Sequence, residues 1–214
     1  MKADTSRPAA GSTNKRLSRI VLGSSSPRRL ELLRSLGLTV EVTPSDYGEP
    51  AAAGLSPAQL ASYHAREKLA AVMRLRRGAG VDAPVLTADT VVDLEGSALG
   101  KPRDADEAFG MLRRLSGRDH LVHTAFALTV PGIPDWTVER ATTRVRFYSL
   151  EPGEIAEYVA TGEPLDKAGA YGIQGRAAAL VEAIDGDFYT VMGLPLGRFV
   201  RVLGRLGFAL PETK

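Results

Sequence analysis

Four groups of residues in this 214-residue chain have the types and spacing to handle a charged ligand. The first is Ser24, Ser26, Arg28 and Arg29, within Gly23-Ser-Ser-Ser-Pro-Arg-Arg29. A short β-branched run, Ile20–Leu22, precedes it, and a leucine stripe at Leu30, Leu33 and Leu36 follows. The segment therefore reads strand, small-residue loop, helix, with Ser26 as N-cap and Pro27 at the first helical position. Unpaired backbone N–H groups and the helix dipole favour an anion at such a junction. Arginine adds a fork of donors that matches phosphate oxygens. The same residues also read as an ordinary cap followed by two solvated arginines, and local physics alone does not separate the two. The segment is not a P-loop, because Gly-x-x-x-x-Gly-Lys-Ser/Thr occurs nowhere in the chain.

The second group is one residue, Asp89, in Thr87-Ala-Asp-Thr-Val-Val92. A carboxylate inside an apolar strand is costly unless paired or metal-bound, and ligands of α/β proteins gather at strand ends. Asp89 is the leading candidate for a reacting carboxylate; its plainer role is to cap a turn. The third group is three separated lysines, Lys68, Lys101 and Lys167. Each alone reads as solvated, but Lys101 sits between Gly100 and Pro102 in a rigid turn soon after Asp89. The fourth is Gly169-Ala-Tyr-Gly-Ile-Gln-Gly175. Its spacing fails the dinucleotide fingerprint, and it precedes a strand instead of opening a helix. Its glycines suit close approach of backbone to a ligand, and Gln174 has the donor and acceptor to read a base edge.

Metal and nucleophile chemistry narrows quickly. With no cysteine there is no thiolate zinc site, disulfide or cysteine nucleophile. His120 and His123 lie three apart on an expected strand and so face opposite ways, and His64 is one polar residue among several on its helix. There is no H-E-x-x-H and no G-x-S-x-G. Metal ligands must then be carboxylates, which suit a hard cation such as Mg²⁺ or Mn²⁺. A phosphate loop, a buried carboxylate, fixed lysines and an amide-bearing loop together compose a metal-assisted phosphate-ester site.

The elements that must position these groups follow from periodicity and caps. After the first helix, ended by Gly37, strands are expected at Thr39–Thr43 and Pro84–Ala88, the latter continuing through Val91–Leu94. Ser56-Pro-Ala-Gln59 is a capping box opening a helix to about Leu75. Asp104-Ala-Asp-Glu107 repeats that pattern before a stripe of Ala108, Met111, Leu112 and Leu115. Leu121–Val130 and Trp136–Ser149 read as a long antiparallel hairpin turning over residues 131–135. In its second strand Arg140, Thr142, Arg144 and Arg146 alternate with Ala141, Thr143, Val145 and Phe147. A helix at Glu151–Ala160, a strand at Leu180–Ile184 and a last helix at Pro195–Leu206 complete an α/β chain with one mixed twisted sheet and flanking helices. Residues 1–18 read as a disordered N-terminal extension and 19–210 as one catalytic domain. Lys plus Arg (27) nearly balances Asp plus Glu (25), for a net charge of +2, so no broad nucleic-acid-binding face is expected. No apolar run is long enough to span a bilayer, and Met1–Lys15 lacks the core of a signal peptide, so a cytoplasmic protein is expected.

Taken together, several stretches resemble the Maf family of nucleoside triphosphate pyrophosphatases, related in fold to inosine triphosphatases. They are Leu22–Arg29 with Glu31-Leu-Leu33, Ala65-Arg-Glu-Lys68, Ala88-Asp-Thr-Val91, Gly100-Lys-Pro102, Leu115-Ser-Gly117, Gly162–Gly175 and Val191–Leu196. The resemblance runs in family order over about residues 20 to 206. It implies two lobes around a central cleft and hydrolysis of a nucleoside triphosphate to the monophosphate and diphosphate with a divalent cation. By position, Asp89 falls on the catalytic carboxylate. Ser24, Ser26, Arg29, Lys68 and Lys101 fall on phosphate-handling positions, and Glu49 joins Asp89 in holding the metal. Arg28, Thr90 and Gln174 fall on the positions that set substrate choice, and resemble the branch preferring dTTP and UTP, with modified pyrimidine nucleotides as further substrates. One loop departs from the family: Ser45-Asp-Tyr-Gly-Glu49 has Gly48 where an acid often stands, which makes Asp46 an alternative ligand. The resemblance also implies a homodimer. Two other classes stay open: a nucleotide-binding regulator of cell division or septum formation with little catalysis, and a nucleic-acid module on the Arg140, Arg144, Arg146 face. Sparse aromatics, 6% of residues, weaken the latter.

Overall fold

The computed structural model describes residues 15–50, 52–77 and 82–212. Its organising element is a long central strand that carries Asp89. In chain order the elements are β1 (Lys15–Arg16), β2 (Arg19–Leu22), α1 (Pro27–Ser35), β3 (Thr39–Val42), α2 (Pro57–Leu75), β4 (Val85–Leu94) and β5 (Ser97–Leu99). There follow α3 (Ala105–Leu115), β6 (Asp119–Val130), β7 (Ile133–Phe147), α4 (Pro152–Ala160), β8 (Val181–Asp185), α5 (Phe188–Met192), α6 (Leu196–Arg205) and β9 (Phe208–Ala209). Three short 3₁₀ turns fill the stretch between α4 and β8.

The main sheet runs β3-β2-β4-β6-β7-β8, with β5 folded back on the end of β4. β2 pairs in parallel with β3 and β4, and the remaining pairs are antiparallel, so the sheet is mixed as the sequence implies. The alternation along β4 sorts its side chains. Val85 and Val91 pack with Val21, Ala125 and Ala127 against Ala61, Ala65, Leu69 and Val72 of α2. Leu86, Ala88 and Val92 belong to the larger core on the other face, which includes Leu112, Phe126, Phe147 and Phe199. That core lies under α1, α3, α4 and α6. Asp89 is therefore on the α2 face and Thr90 on the other.

β2 pairs with β4 only as far as Leu86, and β5 takes up pairing only from Val92. Between them, no strand among the described residues pairs with Thr87–Val91 on that side. Groups from both faces of β4 reach one opening through this gap.

Most elements form for the local reasons their sequences suggest. Ser26 caps α1 and Gly37, at φ 78°, follows its C-cap Leu36. Ser56 and Gln59 complete the capping box of α2. Asp104 caps α3 through the Glu107 N–H, but Glu107 turns its carboxylate to the Arg103 N–H, so the box there is half formed. The hairpin turns tightly at Pro131–Gly132, and Ile133–Asp135, expected in the turn, lie in β7. Residues 15–18, expected in the extension, belong to the fold: Lys15 and Arg16 pair in parallel with Phe208 and Ala209, and Leu17 is buried. The rest of that extension, 1–14, lies outside the described residues. No described helix is long and apolar enough to cross a membrane.

Candidate active site

The gap in the sheet opens into a cleft of about 600 Å³ lined by Ser24, Arg28, Lys68, Asp89, Thr90, Lys101 and the backbone of Gly172 and Gly193, among others. This size is ordinary for a small-ligand site. Its floor is Asp89, 5% exposed, on the α2 face of β4. Lys68, three turns into α2, sends its ammonium to Asp89 Oδ1 at 2.6 Å and to Glu49 Oε1 at 2.6 Å. One cation thus joins two carboxylates that come from a strand and from the loop after β3. Burial works against the Glu49 charge, yet the hydrogen bond and charge of Lys68, with Lys101 and His64 farther off, hold its carboxyl below the ordinary range. Thr87 Oγ1 donates to the Ala65 carbonyl at 2.6 Å and fixes α2 over β4 beside this pair.

On the other face of β4 the phosphate-loop candidate is knit to its surroundings. Ser24 Oγ accepts from the Ser26 N–H at 3.2 Å and from Arg29 Nη1 at 3.1 Å. Ser26 Oγ is the N-cap acceptor of α1. Arg29 gives Nε to the Gly193 carbonyl at 2.8 Å and Nη2 to Thr90 Oγ1 at 3.2 Å. Thr90 Oγ1 lies 2.9 Å from Thr124 Oγ1, which donates to the Thr190 carbonyl at 2.6 Å. Arg29 has five N–H donors, so two remain for a ligand. Burial lowers its pKa, an effect opposed by the charges of Asp89 and Glu49. Two glycines make this packing possible. A Cβ on Gly23 would lie 2.5 Å from Thr87 Cγ2 and 2.8 Å from Val72 Cγ2, and Gly193 adopts φ 111° where its carbonyl meets Arg29.

The opposite wall comes from loops. Lys101 is exposed and makes no hydrogen bond or ion pair among the described residues. Lys167 spends its ammonium on its own loop, at 2.6 Å from both the Glu163 carbonyl and Asp166 Oδ1. Burial pushes the Asp166 carboxyl up, but Lys167 and, more distantly, Arg28 hold it below the usual range. Tyr171 lines the cleft from a buried position, its hydroxyl 2.8 Å from His120 Nε2. Burial takes His120 down to about 4 and leaves its Nδ1 without a partner. The glycines of this loop answer to protein side chains: a Cβ on Gly172 would strike Lys167, and one on Gly175 would strike Glu163. Gly172 also lines the cleft, so its backbone is open to a ligand while Lys167 takes the space a Cβ would need.

Ser24, Ser26, Arg28, Arg29, Glu49, Lys68, Asp89, Thr90 and Lys101 therefore share one cleft. Gln174 is exposed and outside its lining, as is Asp46. Glu49, and not Asp46, is the acid of that loop facing Asp89. Among the lining residues that sequence reasoning passed over are His64 and Tyr47. His64, 6% exposed, lies one helical turn before Lys68 and bonds Tyr47 Oη through Nδ1 at 3.0 Å. A hint was available: His64 and Lys68 are i and i+4, and so share a helix face. Burial pushes the Tyr47 hydroxyl up to about 12. His120 and His123 are both buried, and no group of three or more metal-ligating side chains exists among the described residues. On the β7 face, Arg140 donates to the Ala58 carbonyl at 2.9 Å and Arg146 pairs with Asp119 at 2.8 Å.

Several known proteins resemble this chain in sequence. A dTTP/UTP pyrophosphatase of Pelotomaculum thermopropionicum is 47% identical over 189 residues, 88% of this chain and 97% of its own length. One of Symbiobacterium thermophilum is 48% identical over 91% of this chain and 97% of its own, and one of Thermus thermophilus is 47% identical over 88% and 95%. Among solved structures, the Staphylococcus aureus Ham1 protein covers 76% of this chain and 91% of its own at 13% identity and a TM-score of 0.44, too slight a likeness to bear on the reading. The model of the Maf-like proteins matches residues 19–206, with Asp89 and both walls of the cleft inside it, and the chain belongs to that family.

Proposed function

We propose that the protein is a nucleoside triphosphate pyrophosphatase that hydrolyses the bond between the α- and β-phosphates and prefers dTTP and UTP. One observation carries this reading: Asp89, Lys68 and the Ser24–Arg29 loop meet in one cleft, in a chain 47–48% identical to proteins called dTTP/UTP pyrophosphatases.

Asp89 accepts a proton from water as its oxygen bonds to the α-phosphorus. The bond from that phosphorus to the bridging oxygen breaks, and the electron pair leaves on diphosphate. Lys68 fixes the Asp89 carboxylate in place through their 2.6 Å ion pair. Negative charge growing on the leaving group meets Lys101, the spare donors of Arg29 and the N-terminus of α1. A divalent cation, Mg²⁺ or Mn²⁺, fits this donor set. Asp89 and Glu49 already converge on a single positive group, and two carboxylates plus substrate phosphates are a usual complement for Mg²⁺. Asp89 and Glu49 would hold the ion, which supplies Lewis-acid polarisation of the phosphoryl oxygens when bound. Arg28 and Thr90 line the cleft and support a role in choosing the base, to which we join Gln174 by family position. The reading extends, on family resemblance alone, to a homodimer acting on free nucleotides in the cytoplasm.

The test is diphosphate release from a panel of canonical and modified nucleoside triphosphates with Mg²⁺ or Mn²⁺, beside Asp89→Asn. Turnover of dTTP and UTP that is lost in the variant is expected. Equal turnover of purine nucleotides would remove the specificity assignment, and no turnover of any nucleotide by folded protein would remove the enzyme.

A further inference from the structure

The loop between β3 and α2 carries Glu49 but has little to hold it. Between Thr43, whose N–H donates to Leu22, and the start of α2, no backbone hydrogen bond reaches another element among the described residues. Two side-chain tethers remain within 44–50: Tyr47 Oη to His64 Nδ1 at 3.0 Å, and Glu49 Oε1 to Lys68 Nζ at 2.6 Å.

The two tethers are in register. Residues 47 and 49 are separated by two steps of open chain, a reach of up to about 7 Å. Residues 64 and 68 are one turn apart on α2, a rise of about 6 Å. The pitch of the loop therefore matches that of the helix face. The rings reinforce the first tether, since the His64 ring packs on those of both Tyr47 and Tyr63, with centroids 5.7 and 5.6 Å away. Glu49 has φ 50°, in the left-handed region, which a non-glycine residue keeps only where its surroundings impose it. Gly48 between the anchors meets nothing within 4 Å of an added Cβ, so packing at that point does not hold the loop.

We propose that Tyr47 and His64 form a latch that seats the 44–50 segment on α2 and so positions Glu49 at the Lys68–Asp89 pair. They are positioning residues that act through Glu49, and the inference rests on the role given to Glu49 above. With the latch open, Glu49 still carries its charge but visits Lys68 only part of the time.

Tyr47→Phe keeps the ring and removes the bond; His64→Phe removes it from the helix side; His64→Asn returns an oxygen near the place of Nδ1. Hydrogen–deuterium exchange across residues 44–50 reads the latch without turnover. Faster exchange is expected in both Phe variants and near-parental exchange in His64→Asn. In diphosphate release, Tyr47→Phe is expected to lower kcat/KM about fivefold, the scale of one hydrogen bond. Glu49→Gln is expected to lower it about 10- to 100-fold. The deciding result is the double variant: Tyr47→Phe added to Glu49→Gln should cost nothing further. A full additional fivefold loss, or unchanged exchange in Tyr47→Phe, overturns the latch. Should Glu49→Gln turn over like the parent while Tyr47→Phe still loosens the segment, the assignment of Glu49 falls, and the functional half of this proposal falls with it. Tyr47 is half-buried, so its variant keeps the test alive even where changes at His64 impair folding.

Discussion

The two walls of the cleft are built on different terms. On the wall of α1, α2 and β4, Lys68 is engaged with two carboxylates and Arg29 with three protein acceptors, and Arg28 alone of its lining cations has no hydrogen bond or ion pair among the described residues. On the loop wall, Lys101 has no partner among the described residues, Lys167 is spent on its own loop, and Gln174 faces solvent. A group held in advance loses little freedom when it acts, and a group left free must be ordered by its ligand. On the function proposed above, Asp89 and Lys68 act from the engaged wall and Lys101 from the free one. Base choice, as proposed, draws on both sides, with Arg28 and Thr90 on the first wall and Gln174 on the loop of the second.

That contrast can be broken most sharply at Asp89. Asp89→Asn should lower kcat about 10³-fold, the scale of a lost general base, with the protein still folded by circular dichroism. Residual turnover within tenfold of the parent would move the reacting carboxylate elsewhere. The two lysines test the contrast directly. Lys68→Met leaves Asp89 buried without its cation, so it should cost about 10²-fold in kcat/KM and about 3 kcal/mol in urea unfolding. Lys101→Met should lower kcat/KM by a similar factor and leave stability unchanged. Equal losses of stability in the two would erase the distinction between the walls.

His120 sharpens the comparison through pH. Its folded value, about 4, lies below the ordinary 6.5, so between these values the unfolded chain takes up a proton that the folded chain refuses. Stability from this group is complete above about pH 6.5 and is lost as pH falls toward 4, by up to about 3 kcal/mol. His120→Gln keeps a partner for Tyr171 and should flatten that part of the stability curve. Faster exchange in residues 168–175 than in α2 at pH 5 would show the loop wall yielding first. The smallest effect belongs to Gln174→Ala. It should change the ratio of kcat/KM for dTTP over dGTP by about threefold and leave unfolding untouched. An unchanged ratio would leave base choice to Arg28 and Thr90.

What could be read from sequence divides along similar lines. The first wall was legible because its signals are local: Ser26 before Pro27, Ser56 three residues before Gln59, and Asp89 in the otherwise uncharged run Thr87–Val92. The gap that brings Asp89 and Thr90 to one opening was not, since it depends on where β2 stops pairing and β5 begins. His64 looked like one surface residue of a polar helix, because its burial comes from Tyr47, 17 positions away. The packing of Lys167 and Glu163 against the glycines at 172 and 175 was not legible either, because those side chains curl back under them only in three dimensions. β5, α5 and β9 are five residues or fewer, too short for a period to show.

The pairing of Lys15–Arg16 with Phe208–Ala209 has a consequence for how the chain can be rewired. The ladder is parallel, and Arg16 also reaches the Leu210 carbonyl, so the described ends of the fold lie side by side. A short linker running back along this two-residue ladder would join them at little entropic cost. New ends could then be cut at the exposed Pro131–Gly132 turn, giving a circular permutant with the same sheet. Partners joined directly at Lys15 and Glu212, the described ends, would emerge from one region of the surface and crowd each other.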